Sequence, residues 1–461
     1  MIRLATLAWL LCLTAFFAVG GAAEFYVDPV HGDANNEGSA LKPWQSLQSV
    51  FDKGRVESRQ WEKLPYKDGA PLVPKNPGAP VRAGDTIYLR SGDYGALEIR
   101  GYYNPDFITI AAEKDHTPKF TKILIRSGAR WKLQGLHVTP ASDGSPKAGT
   151  LIDLESHGFH GPVHDIVVEN CRAESVRDSS GWTIQDWNMR AWNGIQVDGK
   201  NMTIRGCTFR NVDFGISVTA SDSLIERNSV ENFAGDGLRG LGDNTTFQYN
   251  TVKNCYDVNQ NHDDGFQSWS RGADGRVGRG EVRGIVLRGN TIINFEDPQQ
   301  PFRGALQGIG CFDGMFVDWV VENNVVVTDH YHGITLSGAR NCRIVNNTVL
   351  DRREGRPGPP WIRIGNHKSG TPSSGCIVRN NLTTALSVGK GVTADHNLIV
   401  KDPNAFFVEI ATYDLRLKGG CEAIDAGNPE LAPSQDVAET PRPQGERVDV
   451  GAYEYLPGTS P

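Results

Sequence analysis

Thr203-Ile204-Arg205-Gly206-Cys207 is followed by Leu224-Ile225-Glu226-Arg227-Asn228 and then by Thr246-Phe247-Gln248-Tyr249-Asn250. In each stretch apolar residues alternate with polar ones up to a small closing side chain, and the closing positions lie 21 and 22 residues apart. The pattern begins at Ile166-Val167-Val168-Glu169-Asn170-Cys171 and continues through Asn290, Asn324, Asn347, Asn381 and Asn397, with insertions between some repeats. A second column runs beside it: Gly194-Ile195-Gln196-Val197, Gly215-Ile216-Ser217-Val218, Gly237-Leu238-Arg239-Gly240, Gly265-Phe266-Gln267-Ser268, Gly308-Ile309-Gly310-Cys311 and Gly333-Ile334-Thr335-Leu336. Helical repeats need about 33 residues or more and apolar spacings of three and four, whereas period-two alternation rich in β-branched residues describes strands. One short strand set per coil, stacked in parallel at about 4.8 Å, is a solenoid. Asn in the closing column tolerates a left-handed turn, and stacked amides can hydrogen-bond along the axis as a ladder.

The 461 residues are 39% hydrophobic and 22% charged, with 52 Gly, 25 Pro and a formal charge of -7, which argues against disorder, collagen and a transmembrane bundle. Without a basic surplus, nucleic acid is not the expected partner, and no membrane span is expected in the mature chain. Arg3, the apolar run from Leu4 to Val19 and Gly21-Ala22-Ala23 read as a secretory signal peptide over residues 1–23, so the protein is expected to be secreted or periplasmic. Removing Cys12 leaves seven cysteines, an odd number too sparse for a disulfide framework. Cys171 and Cys207 share a ladder position, where a bridge and stacked thiols are both geometrically open.

These columns, with Phe25-Tyr26-Val27-Asp28-Pro29 and Pro43-Trp44-Gln45-Ser46-Leu47 near the start, resemble the pectate-lyase-like family of right-handed parallel β-helix proteins. Ala83-Gly84-Asp85-Thr86-Ile87-Tyr88-Leu89 is similar to the first coil of that group, and Ala423-Ile424-Asp425-Ala426-Gly427-Asn428 with Val448-Asp449-Val450-Gly451-Ala452-Tyr453-Glu454-Tyr455 to its closing segment. The resemblance implies an all-β, right-handed parallel β-helix solenoid with an N-terminal cap helix, a secreted protein and action on polysaccharides. The expected layout is one domain over 24–461: cap and loop excursion at 24–82, coils at 83–428 and a tail at 429–461.

Chemistry on such a scaffold depends on the side chains that the coils project outward. Residues just before the recurring Gly are Asn193, Phe214, Asp236, Asp264, Gln307 and His332, and those two after it are Gln196, Ser217, Arg239, Gln267, Gly310 and Thr335. Asp236 and Asp264 should therefore stack one strand spacing apart, and stacked carboxylates persist only with a cation, an arginine or a shared proton. In one reading Asp236, Asp263 and Asp264 bind Ca²⁺ or face Arg239, and a uronate carboxylate is neutralised so that a base can remove the C5 proton for β-elimination. His262 ranks first as base, because arginine needs a far larger pKa shift, with Arg239 as carboxylate partner and His332 in reserve. In another, two carboxylates work as an inverting glycosidase pair with His332 and Arg363 assisting. That order resembles the polygalacturonase series, but a coil around Gly308 should lift His332 two coils above Asp264. In a third, Asp-Gly only marks turns, with glycine supplying positive φ.

Insertions should shape the groove. Trp182, Trp187 and Trp192 offer flat platforms for sugars, while Arg271 and Arg276 offer carboxylate forks; Gln267 and Trp269 extend the set, as does Arg363. The reading that results is a monomeric lyase of an acidic polysaccharide, with Ca²⁺ as candidate cofactor. Its alternatives are an inverting hydrolase or C5-epimerase and, from another class, a non-catalytic carbohydrate-binding or adhesin-like β-helix.

Overall fold

The computed structural model describes residues 21–458 apart from 141–145, 148 and 353–356. The signal-peptide reading and Cys12 fall almost wholly outside the described residues. From Glu24 to Ile399 the chain winds as a parallel solenoid. Two of its faces are joined into one 22-stranded sheet by the long bent strands Ala96–Ala112 and Lys122–Gln134, and a 12-stranded sheet forms the third face. Register follows the sequence columns: Ile195 pairs with Ile216, Ile216 with Leu238, Leu238 with Phe266, Phe266 with Ile309 and Ile309 with Ile334. These apolar positions are buried inside the coils, where their stacked burial drives the winding.

The Asn column is a continuous amide ladder. Asn228 Nδ2 donates to Asn250 Oδ1 at 3.0 Å, and the relay continues through Asn290, Asn324, Asn347 and Asn381 to Asn397 at 2.8 to 3.0 Å. The left-handed residue of each turn is not the ladder Asn, as the sequence suggested, but the residue before it: Arg227, Tyr249, Asn323, Asn346, Asn380 and His396 all have φ between 51° and 56°. That turn swings the next amide inward, onto the axis.

The recurring glycines also have a different cause from the expected one. Gly237 and Gly265 are absent from the positive-φ residues. A Cβ on Gly265 would sit 2.4 Å from Ile292 Cγ2, and one on Gly237 would sit 2.3 Å from Val252 Cγ1. Here the wall strand enters so close to the opposite face that no side chain fits.

The expected cap helix is the short Leu47–Asp52, started by Ser46 and laid with Phe51 over Tyr102 and Trp131 at the open end of the first coils. The 52–82 excursion carries an antiparallel hairpin, Ser58–Trp61 with Leu72–Lys75, whose Trp61 packs on Tyr66 and Tyr103. After Ile399 the chain builds a second core around Phe406, Phe407, Leu415 and Val450. The tail then folds back along the last turns, where Asn346 Nδ2 donates to Asp449 O and Arg442 is fully enclosed against Glu454. All seven described cysteines are free thiols, so Cys171 and Cys207 stack without a bridge. Among the described residues, no helix is long and apolar enough to cross a membrane.

Asn290→Leu removes a buried amide that donates to Phe247 O and Asn324 Oδ1 and accepts from the backbone and side chain of Asn250. It should cost about 3 kcal/mol or more in denaturant unfolding, because several buried partners are orphaned at once. Gly265→Ala should cost about 1–3 kcal/mol through overpacking against Ile292.

Candidate active site

The wall strands Asn193–Val197, Ile216–Val218, Leu238–Gly240, Asp264–Trp269, Gln307–Asp313, His332–Ser337 and Trp361–Gly365 carry the outward columns. Arg239 pairs in register with Gln267, Gln267 with Gly310, Gly310 with Thr335 and Thr335 with Arg363. Asp236 and Asp264 thus occupy consecutive coils of one wall, and His332 lies two coils above Asp264, with the Gln307 coil between them.

Arg239 Nε and Nη2 donate to Asp236 Oδ2 at 3.0 and 2.5 Å, while the Asp264 backbone N–H donates to Asp236 Oδ1 at 3.2 Å. The guanidinium lies between Phe214 and Trp269, 4.4 and 4.9 Å from their ring centres. The carboxyls themselves are withdrawn from solvent: Asp236 is 3% exposed and Asp264 0%. Gln267 Nε2 donates to Asp264 Oδ2 at 2.8 Å, and Asp264 Oδ1, which has no partner, lies where a side chain on Gly310 would begin. Glycine in that column makes room for the carboxyl.

Burial raises all three acids. Asp236 is pushed to about 6 by desolvation against the pull of Arg239, and Asp263 to about 8 by desolvation with Asp236 and Asp257 adding repulsion. Asp264 is raised well above the ordinary carboxylate range by burial and then by Asp236. A Ca²⁺ cage over these acids does not fit. Asp236 is committed to Arg239 and a backbone N–H, Asp264 is wedged between Gln267 and Gly310, and Asp263 Oδ2 turns toward Cys255 Sγ at 3.6 Å. Among the described residues no three His, Cys, Asp or Glu side chains are grouped to hold a metal ion.

What the wall offers to solvent is cationic, aromatic and imidazole. His332 touches Phe312, His330, Tyr331 and Trp361 with ring centres 4.4 to 5.4 Å apart. Its Nδ1 is 2.9 Å from Thr335 Oγ1, and that oxygen accepts from Trp361 Nε1 at 3.1 Å. Burial, the neighbouring His330 and Arg363 lower His332 to about 4, and burial with His262 lowers His330 to about 4. Both rings are therefore neutral at ordinary pH. Arg363 lies over Trp361 at 5.3 Å, and no carboxylate among the described residues pairs with it. His262 is exposed on the preceding turn and lines a cavity of about 90 Å³ with Asp257, Asp263, Gln307 and His330.

Trp182, Trp187 and Trp192 are packing residues, a correction to the platform reading. Trp187 stacks on Tyr256 at 4.4 Å and meets Trp182 edge-on, pinning the insertion and its short helix Ile184–Arg190 to the barrel, and Trp192 joins the main core. Trp269 and Arg271 instead line an open groove of about 390 Å³ with Thr219, Ser221, Asp243 and Glu281. Arg276 is exposed on the small loop beyond and faces Asp274 of the same loop. A cavity of similar volume beside Tyr453 and Tyr455, in the tail, contains none of the column residues. Sequence reading missed Phe312, Tyr331, His330 and Trp361. Trp361-Ile362-Arg363-Ile364 alternates like the other wall strands, but it follows prolines where its neighbours have glycine.

Asp263 is protonated in the fold at pH values where an unfolded aspartate is ionised, so its contribution to stability is complete below about pH 4 and is lost as pH rises toward 8. Asp263→Asn should accordingly gain thermal stability relative to the parent between pH 5 and pH 9, read as a growing difference in Tm.

A family model described as a right-handed β-helix region matches residues 193–383. Among solved structures, the pectate lyase Pel9A is 16% identical, with 95% of this chain and 98% of that one covered and a TM-score of 0.46. The complex of XylC with xylose is 8% identical over 94% and 98% of the two chains, TM-score 0.49, and a rhamnogalacturonan lyase 14% identical over 85% and 92%, TM-score 0.41. No curated protein matches the sequence. With the stacked parallel coils, their core register and the matched region in agreement, this chain is a right-handed parallel β-helix protein.

Proposed function

We propose that the protein is an exported, monomeric polysaccharide-active enzyme that cleaves an acidic, uronate-containing chain by β-elimination along the Arg239–Arg363 wall. The observation that carries this reading is the division of charge on the wall. The acids are buried and raised in pKa, while Arg239, Arg363 and neutral imidazoles stand beside half-buried rings. An inverting hydrolase of the usual kind works with two accessible carboxyls flanking the glycosidic bond. Elimination needs a cation on the uronate carboxylate and a base at C5.

In the proposed reaction Arg363 takes the carboxylate of the uronate, Arg239, four coils lower, holds a more distant unit of the same chain, and the aromatic rings of Trp269, Phe312 and Trp361 carry sugar faces. His262 removes the C5 proton. The electron pair left behind forms the C4–C5 double bond, the C4–O bond breaks, and the departing oxygen takes a proton from water. The groove beside Trp269 and Arg271 continues the wall toward the lower coils and suits further units of the same chain.

Incubation with pectate, alginate and glucuronan, with and without EDTA, while ultraviolet absorbance of unsaturated uronates and reducing ends are followed separately, tests the proposal. Both signals should rise on one of these polymers, in EDTA as well as without it. Reducing ends alone would mean hydrolysis, and neither signal with retained binding would mean a non-catalytic module. Arg363→Ala should lower kcat/KM about 100-fold. Asp264→Asn should change it less than about tenfold, since the carboxyl it replaces is already neutral, whereas a general acid at this position would lose about 10²–10⁴.

A further inference from the structure

The wall contains a hydrogen-bond relay whose directions can be assigned. Trp361 Nε1–H can only donate, and its acceptor is Thr335 Oγ1 at 3.1 Å. Thr335 is 1% exposed, so the proton on its own hydroxyl cannot go to solvent. Among the described residues, the only other hydrogen-bonding partner of that oxygen is His332 Nδ1 at 2.9 Å. Were Nδ1 to carry hydrogen, it would compete with Trp361 as a second donor and leave the threonine hydroxyl buried without an acceptor, at a cost of about 1–3 kcal/mol. The threonine hydroxyl must therefore donate to Nδ1, and the imidazole hydrogen must sit on Nε2. The adjoining ring obeys the same logic: the His332 backbone N–H donates to His330 Nδ1 at 3.0 Å, which leaves the hydrogen of His330 on Nε2 as well.

His332 Nε2 has no hydrogen-bond partner among the described residues and is not a buried atom. It lies within a patch of rings, with Phe312 on one side and Trp361 on the other, close enough to Arg363 for the guanidinium to act on its titration. A neutral N–H is thus presented beside a free cation.

We propose that Trp361 and Thr335 are positioning residues that lock His332 as the Nε2–H tautomer, so that His332 serves as an uncharged hydrogen-bond donor to a substrate carboxylate held by Arg363 and does not act as the base. The donor role rests on the elimination reading, but the tautomer does not. With a neutral donor, the carboxylate and the enediolate that develops from it gain a directed hydrogen bond beside the full charge of the guanidinium, as expected of preorganised donors in a water-poor site. This assignment also removes His332 from the candidates for proton abstraction at C5 and leaves that step to His262.

Two-bond ¹H–¹⁵N spectra of the full chain labelled at histidine read the tautomer directly, with His332→Gln used to assign the signal. The expected result at pH 7 is an unprotonated Nδ1 and a protonated Nε2 for His332. Thr335→Val should lose this preference, and Thr335→Ser should restore it. A protonated Nδ1 in the parent, or an unchanged tautomer in Thr335→Val, would overturn the relay whether or not any polymer is cleaved. On the uronan identified by the polymer panel, His332→Gln keeps an N–H donor near the Nε2 position and should retain kcat within about 30-fold of the parent, whereas loss of a base would cost about 10²–10⁴. A collapse of kcat in His332→Gln to that range, with KM unchanged, would overturn the donor role even if the tautomer is as assigned. Absence of turnover in the parent would instead count against the elimination reading itself.

Discussion

The amide ladder from Asn228 to Asn397 is the constraint on which the rest of the structure rests. Each interior rung donates both to the next amide and to a backbone carbonyl, and each Oδ1 receives the neighbouring amide and backbone N–H, so a row of polar groups sealed in the barrel is satisfied without water. A half-satisfied row would be worse than an apolar one, which makes the ladder all-or-none along its length. Because it ties each coil from Asn228 to Asn397 to its neighbours at the same turn, it also fixes the phase of the strands that follow in those coils. The wall columns line up as a consequence, and where loops leave the barrel the pairing slips only locally, at Ser268/Trp269 and at His332/Ile334, while the core column keeps its partners.

That alignment has an electrostatic cost at the Asp236–Asp264 step. Two carboxyls one coil apart, both enclosed, are tolerable because Arg239 neutralises the lower one and burial keeps the upper one protonated. The missing side chain at Gly310 is part of the same solution, since it gives the upper carboxyl a place to lie. Arg239 is in turn held flat between Phe214 and Trp269, so the buried acids determine the posture of a cation at the surface. Three coils above Asp264, Arg363 has aromatic support and pairs with no carboxylate among the described residues, and the neighbouring imidazoles lose their charge through burial. The wall therefore changes along the axis from a compensated cation to an uncompensated one.

Periodicity made the solenoid, its core column and the Asn ladder legible in the amino-acid sequence, because each depends only on which residue types recur at a fixed interval. The stacking of Asp236 under Asp264, their neighbour Arg239 and the extra coil beneath His332 followed from counting repeats. Counting could not show exposure. Trp182, Trp187 and Trp192 have the composition of a sugar platform, yet the capped helix Ile184–Arg190 turns Trp187 against Tyr256 and buries the group. Likewise the glycines of the second column have the form of turn residues, but close approach of the two faces is what excludes a side chain.

Sequence alone thus determined a β-helix with one outward wall and the order of residues along it, since a strand period of two and a coil period near 22 leave no other placement for them. Only the tertiary structure decided which of those side chains reach solvent, which share a proton or a charge, and which nitrogen of His332 is free, because those properties depend on the depth of each group beneath its neighbours and on the direction of hydrogen bonds within a strand and between coils, as from Trp361 to Thr335, 26 residues away in the chain.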